Sequence, residues 1–446
     1  MKDNFFKDKA FMSKLISYAL PICFQMFMFA SVAAADAFML GGVEQNSMAA
    51  VSLASQVQFV QTLFLSGVMS TTALLGAQYW GKKDLNTMDD IFSISIRLSF
   101  IISLIFFIAC YCFPRNMMLF YTNEEPLIEI GIKYLRIASF SYLLSGFSQS
   151  YIVMTRVSDH IKTAAIISCS AVIINILLNS LFIFYYDMNA EGAAIATLIS
   201  RIVELILVFV MSFRPNYLKL KIAKLFSINK LLLTDFIKSL IPLMGASLLW
   251  GIGFTSYTSF MGHLGTDAAA ANSITAVIRD LLCSSSDGIA QGGGIMIGNE
   301  LGSANLEKGK QYGIRMAKIS FILGGICAIL MIVIIPIIMP LIKLTPLAQK
   351  YLKQMMIVMS IYAIGRCVNT IIINGVLTAG GDTLFDLYSL IITMWVVSLP
   401  LAALGTYKFK WPVIVIYAFT CLDEVGKIPW TIYHFSKYKW VKDLTR

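Results

Sequence analysis

Charge is scarce in this chain: Asp, Glu, Lys and Arg make up 13% of its 446 residues, about half the share of an ordinary soluble domain. With 58% hydrophobic residues and a mean hydropathy of +0.75, a soluble globular fold is excluded. Histidine is rarer still. His160, His263 and His434 lie far apart with no ligand spacing, so they define no metal centre. The eight cysteines stand singly or in one C-x-C, nearly all inside apolar runs, which excludes a disulfide framework and reads as core filler. No G-x-x-x-x-G-K-[ST] loop is present, so no ATP motor is built in. No Ser/His/Asp or Cys/His set suggests itself, and neither catalytic residues nor a cofactor are expected. Transport by such a chain must draw on an ion gradient or on the substrate's own gradient. The net charge of +10 reports membrane topology and anionic lipid rather than nucleic acid.

What the chain has instead is apolar runs of spanning length. A helix rising about 1.5 Å per residue crosses about 30 Å of hydrocarbon in roughly 20 residues. Twelve such spans are expected, over roughly 15–40, 51–78, 91–113, 133–155, 163–186, 192–213, 236–262, 269–299, 313–339, 348–378, 386–406 and 411–435. The first follows a short basic start and is too long for a signal-peptide core, so it is expected to remain uncleaved. Taken alternately, the loops on one side collect most of the Lys and Arg, including Lys82, Lys83, Arg156, Lys162, Lys308, Lys310 and the stretch Lys219–Lys230. That places both termini in the cytoplasm, in the cell membrane. The longest basic loop divides the chain into an N-terminal lobe (1–213), a linker (214–235) and a C-terminal lobe (236–446).

The two halves resemble each other. At one constant spacing along the chain Pro21 matches Pro242, Ala49-Ala50 matches Ala270-Ala271, and Ser52 matches Ser273. Gly81-x-x-Asp84-Leu85 matches Gly302-x-x-Asn305-Leu306 at the same spacing. Six spans per half make this a parallel repeat, two lobes flanking a cleft suited to alternating access. One position breaks the symmetry: Asp36 falls opposite Tyr257.

Asp36 lies in the first span with Pro21, which removes a helical hydrogen bond and bends the helix near one end. A carboxylate in an apolar helix faces a wet cavity, finds a partner or holds a proton; one at the interface, near Gly41-Gly42, is simply solvated. The run alone leaves both readings open. In the fifth span Asn175 and Asn179 share a helical face at i and i+4, as interhelical glue or as oxygen ligands. In the sixth, Thr197 and Arg201 share a face, and Arg201 with Glu204 reads as an ion pair. Arg279, Asp280, Asp287, Arg366, Asp423, Glu424 and Lys427 lie near span ends or beside a countercharge and read as structural.

Several stretches resemble the prokaryotic branch of the multidrug and toxic compound extrusion (MATE) family. They are ALP…AAADAFMLGG in span one, GAQYWGKKDL after span two and Asn175-x-x-x-Asn179. EGAAIATLISR, DAAAANSI, GNELGSANLEKG and NGVLTAGGDT follow in order over nearly the whole chain. The resemblance implies an all-α membrane protein of twelve helices in two pseudo-symmetric lobes around a central cavity. It also implies a monomer that exports lipophilic or cationic small molecules in exchange for H⁺ or Na⁺. The coupling set it implies falls on Asp36, Asn175, Asn179 and Thr197, which would be the ligands if the ion is Na⁺. Tyr134 and Gln149 fall on the supporting positions. Two departures stand out: Asn179 replaces a second carboxylate, and Gln149 an asparagine. One carboxylate with neutral oxygens still suits Na⁺, with lower affinity, whereas a lone Asp in an apolar pocket suits a proton. The acidic residues that other members carry in spans seven and ten are not evident here, which places coupling in the N-terminal lobe. A lipid-linked oligosaccharide flippase of the related superfamily would need several unpaired basic residues in its cavity. An integral-membrane transferase would need a convergent acid–base or metal set. Neither pattern is present.

Overall fold

The computed structural model describes the backbone of residues 8–41, 45–215, 217, 219, 221–227, 229–340, 342 and 344–445, and their side chains except at 32–41, 45 and 222. Among the described residues there is no strand. The long helices are α1 (Lys9–Gly41), α2 (Gln45–Lys82), α3 (Leu85–Cys112), α4 (Glu125–Val157), α5 (Ile161–Ser180), α6 (Asn189–Ser212), α7 (Lys230–His263), α8 (Thr266–Gly302) and α9 (Leu306–Ile338). Next come α10 (Pro346–Asn369), which runs on through a π turn, Thr370–Leu377, and α11, built from Leu384–Leu390, Ile391–Ser398, Leu399–Ala403 and Leu404–Phe409. The last, α12, is broken into Val413–Thr420, Leu422–Val425 and Ile428–Ser436. Nine of these, among the described residues, are long and apolar enough to cross a membrane: α1 to α3, α5 to α7 and α9 to α11. The others are polar for a plain span (α4 and α8) or broken (α12). Where α9 meets no other helix it exposes Ile322, Ile326, Ile329 and Val333, the face a lipid-contacting helix presents.

The backbone carries the repeat more clearly than the side chains do. After α2 the chain turns through Lys83 (φ 63°), and after α8 through Ala304 (φ 62°). In both turns the same bonds form: Asp84 N–H to Tyr79 O (3.1 Å) and Asn305 N–H to Glu300 O (2.9 Å). These two turns stand at the spacing of Gly81 and Gly302. Two loops later His160 N–H bonds Thr155 O and Asp382 N–H bonds Leu377 O, and the spacing has grown by one position. In the next loop Met188 N–H bonds Phe182 O and Trp411 N–H bonds Gly405 O, and it has grown by one more. Each step has a physical cause. A π turn closes i→i+5 bonds and so holds one residue more than an α turn. The turn at Thr370–Leu377 has no counterpart in α4, and that at Ile391–Ser398 none in α5. The third, Leu404–Phe409, does match the π turn at Leu181–Tyr185 that closes α5.

The contacts divide the chain at Phe27/Met28 and Met244/Gly245. One compact unit is Met28–Met244; the other joins Gly245 onward to the chain up to Phe27. The first turns of α1 therefore pack with the C-terminal helices. A Cβ on Gly288 of α8 would lie 2.5 Å from Cys23 N, an approach only glycine permits. Arg315 also pairs with Asp8 at 2.6 Å, just ahead of α1. The other unit forms the equivalent contact, with Gly67 standing for Gly288 and Met244 for Cys23. A Cβ on Gly67 of α2 would lie 2.6 Å from Met244 Cβ of α7.

Within unit Met28–Met244, hydroxyls bond across α2, α3 and α4. Thr72 donates to Ser95 (2.9 Å), Ser95 to Ser150 (3.2 Å) and Ser150 to Ser99 (3.1 Å). Such bonds and small residues replace the hydrophobic effect as glue between apolar helices. Gly146 completes the seam, since a Cβ there would lie 2.9 Å from Ser99 O. Gly146→Val should separate α3 from α4 and sharply reduce the yield of monodisperse protein in detergent; wild-type yield and unfolding temperature would refute the seam's role.

Asp84 begins α3, accepting from Thr87 Oγ1 (2.7 Å) and Thr87 N (3.1 Å). These bonds, the hydroxyl first, hold its carboxyl below the usual range. A depressed carboxyl gives its stability above the unfolded value, near 4, and loses it as pH falls through the folded one. Asp84→Ala should cost about 1 kcal/mol at neutral pH, and the difference from wild type should shrink in acid. Thermal unfolding at several pH values checks both statements.

Candidate functional site

Two buried amides and a hydroxyl meet where α5 packs on α6. Asn179 Nδ2 donates to Asn175 Oδ1 at 3.3 Å, and Asn175 Nδ2 donates to Thr197 Oγ1 at 3.4 Å. Thr197 in turn donates to Ala193 O at 3.0 Å, so the chain of donors runs one way and ends on the backbone of α6. Asn179 is 2% exposed, between spans where an unsatisfied amide would be costly. The local sequence explains the approach. α6 opens with Ala190, Gly192, Ala193 and Ala194, all buried, and small residues let two helix backbones come close. Directly after Asn179 and Ser180 the helix widens into its π turn, a feature that often marks functional positions.

Of the supporting residues, Tyr134 of α4 is buried in an apolar cluster that also takes in Ala190, Ala193 and Ala194 of α6. Gln149 follows Ser148, which donates to Glu204 Oε2 at 2.9 Å, and Glu204 is seven residues, about 10 Å, beyond Thr197 along α6. The expected pair Arg201–Glu204 forms at 2.8 Å, with Glu204 fully buried. Pro21 sits inside α1, which stays helical on both sides of it. Asp36 is in the helical part of α1, but its side chain lies outside the described residues.

A second polar cluster occupies the unit that begins at Gly245. Arg366 of α10 lies 3.6 Å from Asp287 of α8 and 3.5 Å from Glu424 in the break of α12. Asn369 Nδ2 donates to both Glu424 O and Glu424 Oε2, each at 2.7 Å, and Asn369 Oδ1 accepts from Thr431 at 3.0 Å. Asn369 therefore ties the backbone of the broken helix to α10. Reading these charges as pairs near span ends missed the network. The signal available was Asn369, the repeat counterpart of Ser148, which likewise donates to a buried glutamate. Among the described residues, no group of three or more His, Cys, Asp or Glu is arranged to hold a metal ion.

The fold and these buried polar clusters define a class: a multi-pass helical membrane protein assembled from two repeated halves. The family is then direct. A family model described as MatE matches residues 21–181 and again 242–404, so the chain belongs to that family and is a membrane transporter of small molecules, not an enzyme. The matches begin at Pro21 and its repeat partner Pro242, and the second outruns the first by the positions that the two extra π turns add. The chain is 23% identical over 401 residues to the uncharacterized transporter YisQ of Bacillus subtilis, covering 89% of this chain and 88% of that protein. It is 21% identical over 406 residues to the probable multidrug resistance protein YoeA of the same organism, covering 89% and 87%. A solved outward-facing multidrug resistance MATE family transporter shares the fold at a TM-score of 0.87 and 18% identity, over 96% of each chain.

Proposed function

We propose that the protein is a secondary active antiporter that exports hydrophobic or cationic small molecules across the cell membrane in exchange for protons. It works as a monomer with both termini in the cytoplasm, and Asp36 is the coupling carboxyl. The observation that carries this reading is the one-way donor chain Asn179–Asn175–Thr197. Asn175 Oδ1 and Thr197 Oγ1, oxygens a Na⁺ site would use, already accept hydrogen bonds. With Asn179 in place of a second carboxylate, Asp36 has no acidic neighbour on α5, and a single carboxylate in apolar helices takes up a proton more readily than it strips water from a metal ion. Proton binding to Asp36 would bend α1 at Pro21 and reshape the N-terminal half. Substrate must bind the unprotonated form better for the gradient to do work. The resemblance of relatives named as multidrug resistance proteins supports the substrate class.

Asn179→Asp tests the choice of ion. Restoring the second carboxylate should give export a Na⁺ response that the wild type lacks. Wild-type export that already follows Na⁺ and ignores the proton gradient would overturn the reading.

A further inference from the structure

The internal repeat gives each residue of the N-terminal cluster a counterpart in the other unit. With the spacing set by the π turns, Asp36 falls on Tyr257, Asn175 on Ser398, Asn179 on Ala402 and Thr197 on Thr420. None of the counterparts is acidic, but the next turn of α12 is. Asp423 lies three residues after Thr420, is 4% exposed, and borders the π turn of α11 that ends at Ser398. Tyr257 and Ser398 are both buried, at 9% and 0% residue exposure, and their hydroxyls approach each other with no third partner among the described residues. The Tyr257 hydroxyl stands in the field of Asp423 first, with Cys421 and then Glu424 behind it.

Charge counting reaches the same place. The cluster holds Asp287, Asp386, Asp423 and Glu424 against Arg366 and Lys427, while Arg279 is matched by Asp280 at 2.7 Å. Two negative charges are left over, and of the four acids Asp423 and Glu424 are the buried ones, at 4% and 5% exposure. The Glu424 carboxylate is paired with Arg366 and accepts one bond from Asn369, at Oε2. Lys427, 4% exposed, has no carboxylate within 4.0 Å among the described residues. Asp423 accepts one bond, from Glu424 N at 2.8 Å. The groups around it are Cys421, Glu424 and Lys427 on its own helix, Arg366 and Tyr362 on α10 and Tyr257 on α7, while Asp287 on α8 and Asp386 on α11 face Glu424.

We propose that Asp423 is the proton-binding carboxyl of a second site, lined by Tyr257, Ser398 and Thr420. It stands in the C-terminal half where the Asp36 cluster stands in the N-terminal half, with the acid moved from the first helix of the repeat to the last. Loading forms one O–H bond on Asp423 from a proton of the aqueous phase and takes the side chain from −1 to 0; no other bond changes. The proposal is independent of the role given to Asp36.

Infrared difference spectra of the purified full-length protein in lipid nanodiscs, taken as pH is raised from about 5 to about 9, read the site directly. A carboxylic-acid C=O band should disappear across that range in Asp36→Asn, and also when Asp287→Asn is added to it, and be absent when Asp423→Asn is added to Asp36→Asn. A band that persists in the Asp36→Asn, Asp423→Asn double variant, or no titrating band in the Asp36→Asn protein, overturns the proposal. Tyr257→Phe leaves every charge in place and covers the case in which Asp423→Asn does not fold. It should move the midpoint of the band by about one pH unit, and an unmoved midpoint counts against the site.

Discussion

Asp36→Asn is expected to abolish gradient-driven accumulation while leaving substrate binding within a few-fold of wild type. The size of the effect follows from the energy of one proton. Entering down about 100 mV and one pH unit, a proton releases about 3.7 kcal/mol, enough to hold a neutral substrate at a concentration ratio of several hundred. An asparagine takes up no proton, so the ratio should fall to about one. Downhill exchange of substrate across the bilayer should survive, because the amide preserves size and packing. Asp36→Glu, which keeps the acid but extends it by one methylene, should restore part of the coupling. Uphill export that persists in Asp36→Asn would place the coupling elsewhere, with Asp423 the next residue to replace.

Arg366→Met should have the largest effect on folding of any single change in the C-terminal half. It removes the cation shared by Asp287 and Glu424 and leaves Glu424, 5% exposed, with Asn369 as its remaining side-chain partner. Breaking a buried pair on one side typically costs about 3–5 kcal/mol, comparable to the stability of a whole domain. The arginine also lies over the Trp250 ring at 5.7 Å, a contact the methionine keeps only as apolar packing. Neutralising the orphan as well should return much of the loss, so Arg366→Met with Glu424→Gln should be more stable than Arg366→Met alone. Yield and thermal unfolding in detergent measure both. A stable single variant, or a double variant worse than the single, would show that the network does not hold α12 to α10.

The architecture was readable from the chain because its signals are local. Long apolar runs gave the helices, and the Gly81-x-x-Asp84-Leu85 motif with its partner at Gly302 marked two turns that share both φ and hydrogen bonds. The drift in the repeat spacing along the second half was not readable. A π turn follows from packing around it, and Thr370–Leu377 and Ile391–Ser398 look like any other apolar helix. The close approaches at Gly67 and Gly288 were not readable either, since these glycines identify their partners only once Met244 and Cys23 are seen against them. In the candidate site, the i,i+4 spacing put Asn175 and Asn179 on one face, while Thr197 was joined to them only by the family resemblance. Gln149 follows Ser148, which meets α6 at Glu204, a level that the helical period does not give because it fixes a face but not where two helices meet. The break in α12 gave little warning: Gly426 is a weak stop, and Pro429 comes after the helix has resumed.

The central claim is proton-driven export through Asp36, and purified protein in liposomes tests it most directly. Ethidium efflux should be measured with an inward proton gradient and an inward Na⁺ gradient imposed separately, for wild type and for Asp36→Asn. The account predicts wild-type export under the proton gradient alone and none in the variant. Export under Na⁺ alone, or under neither gradient with the protein demonstrably folded, would contradict it.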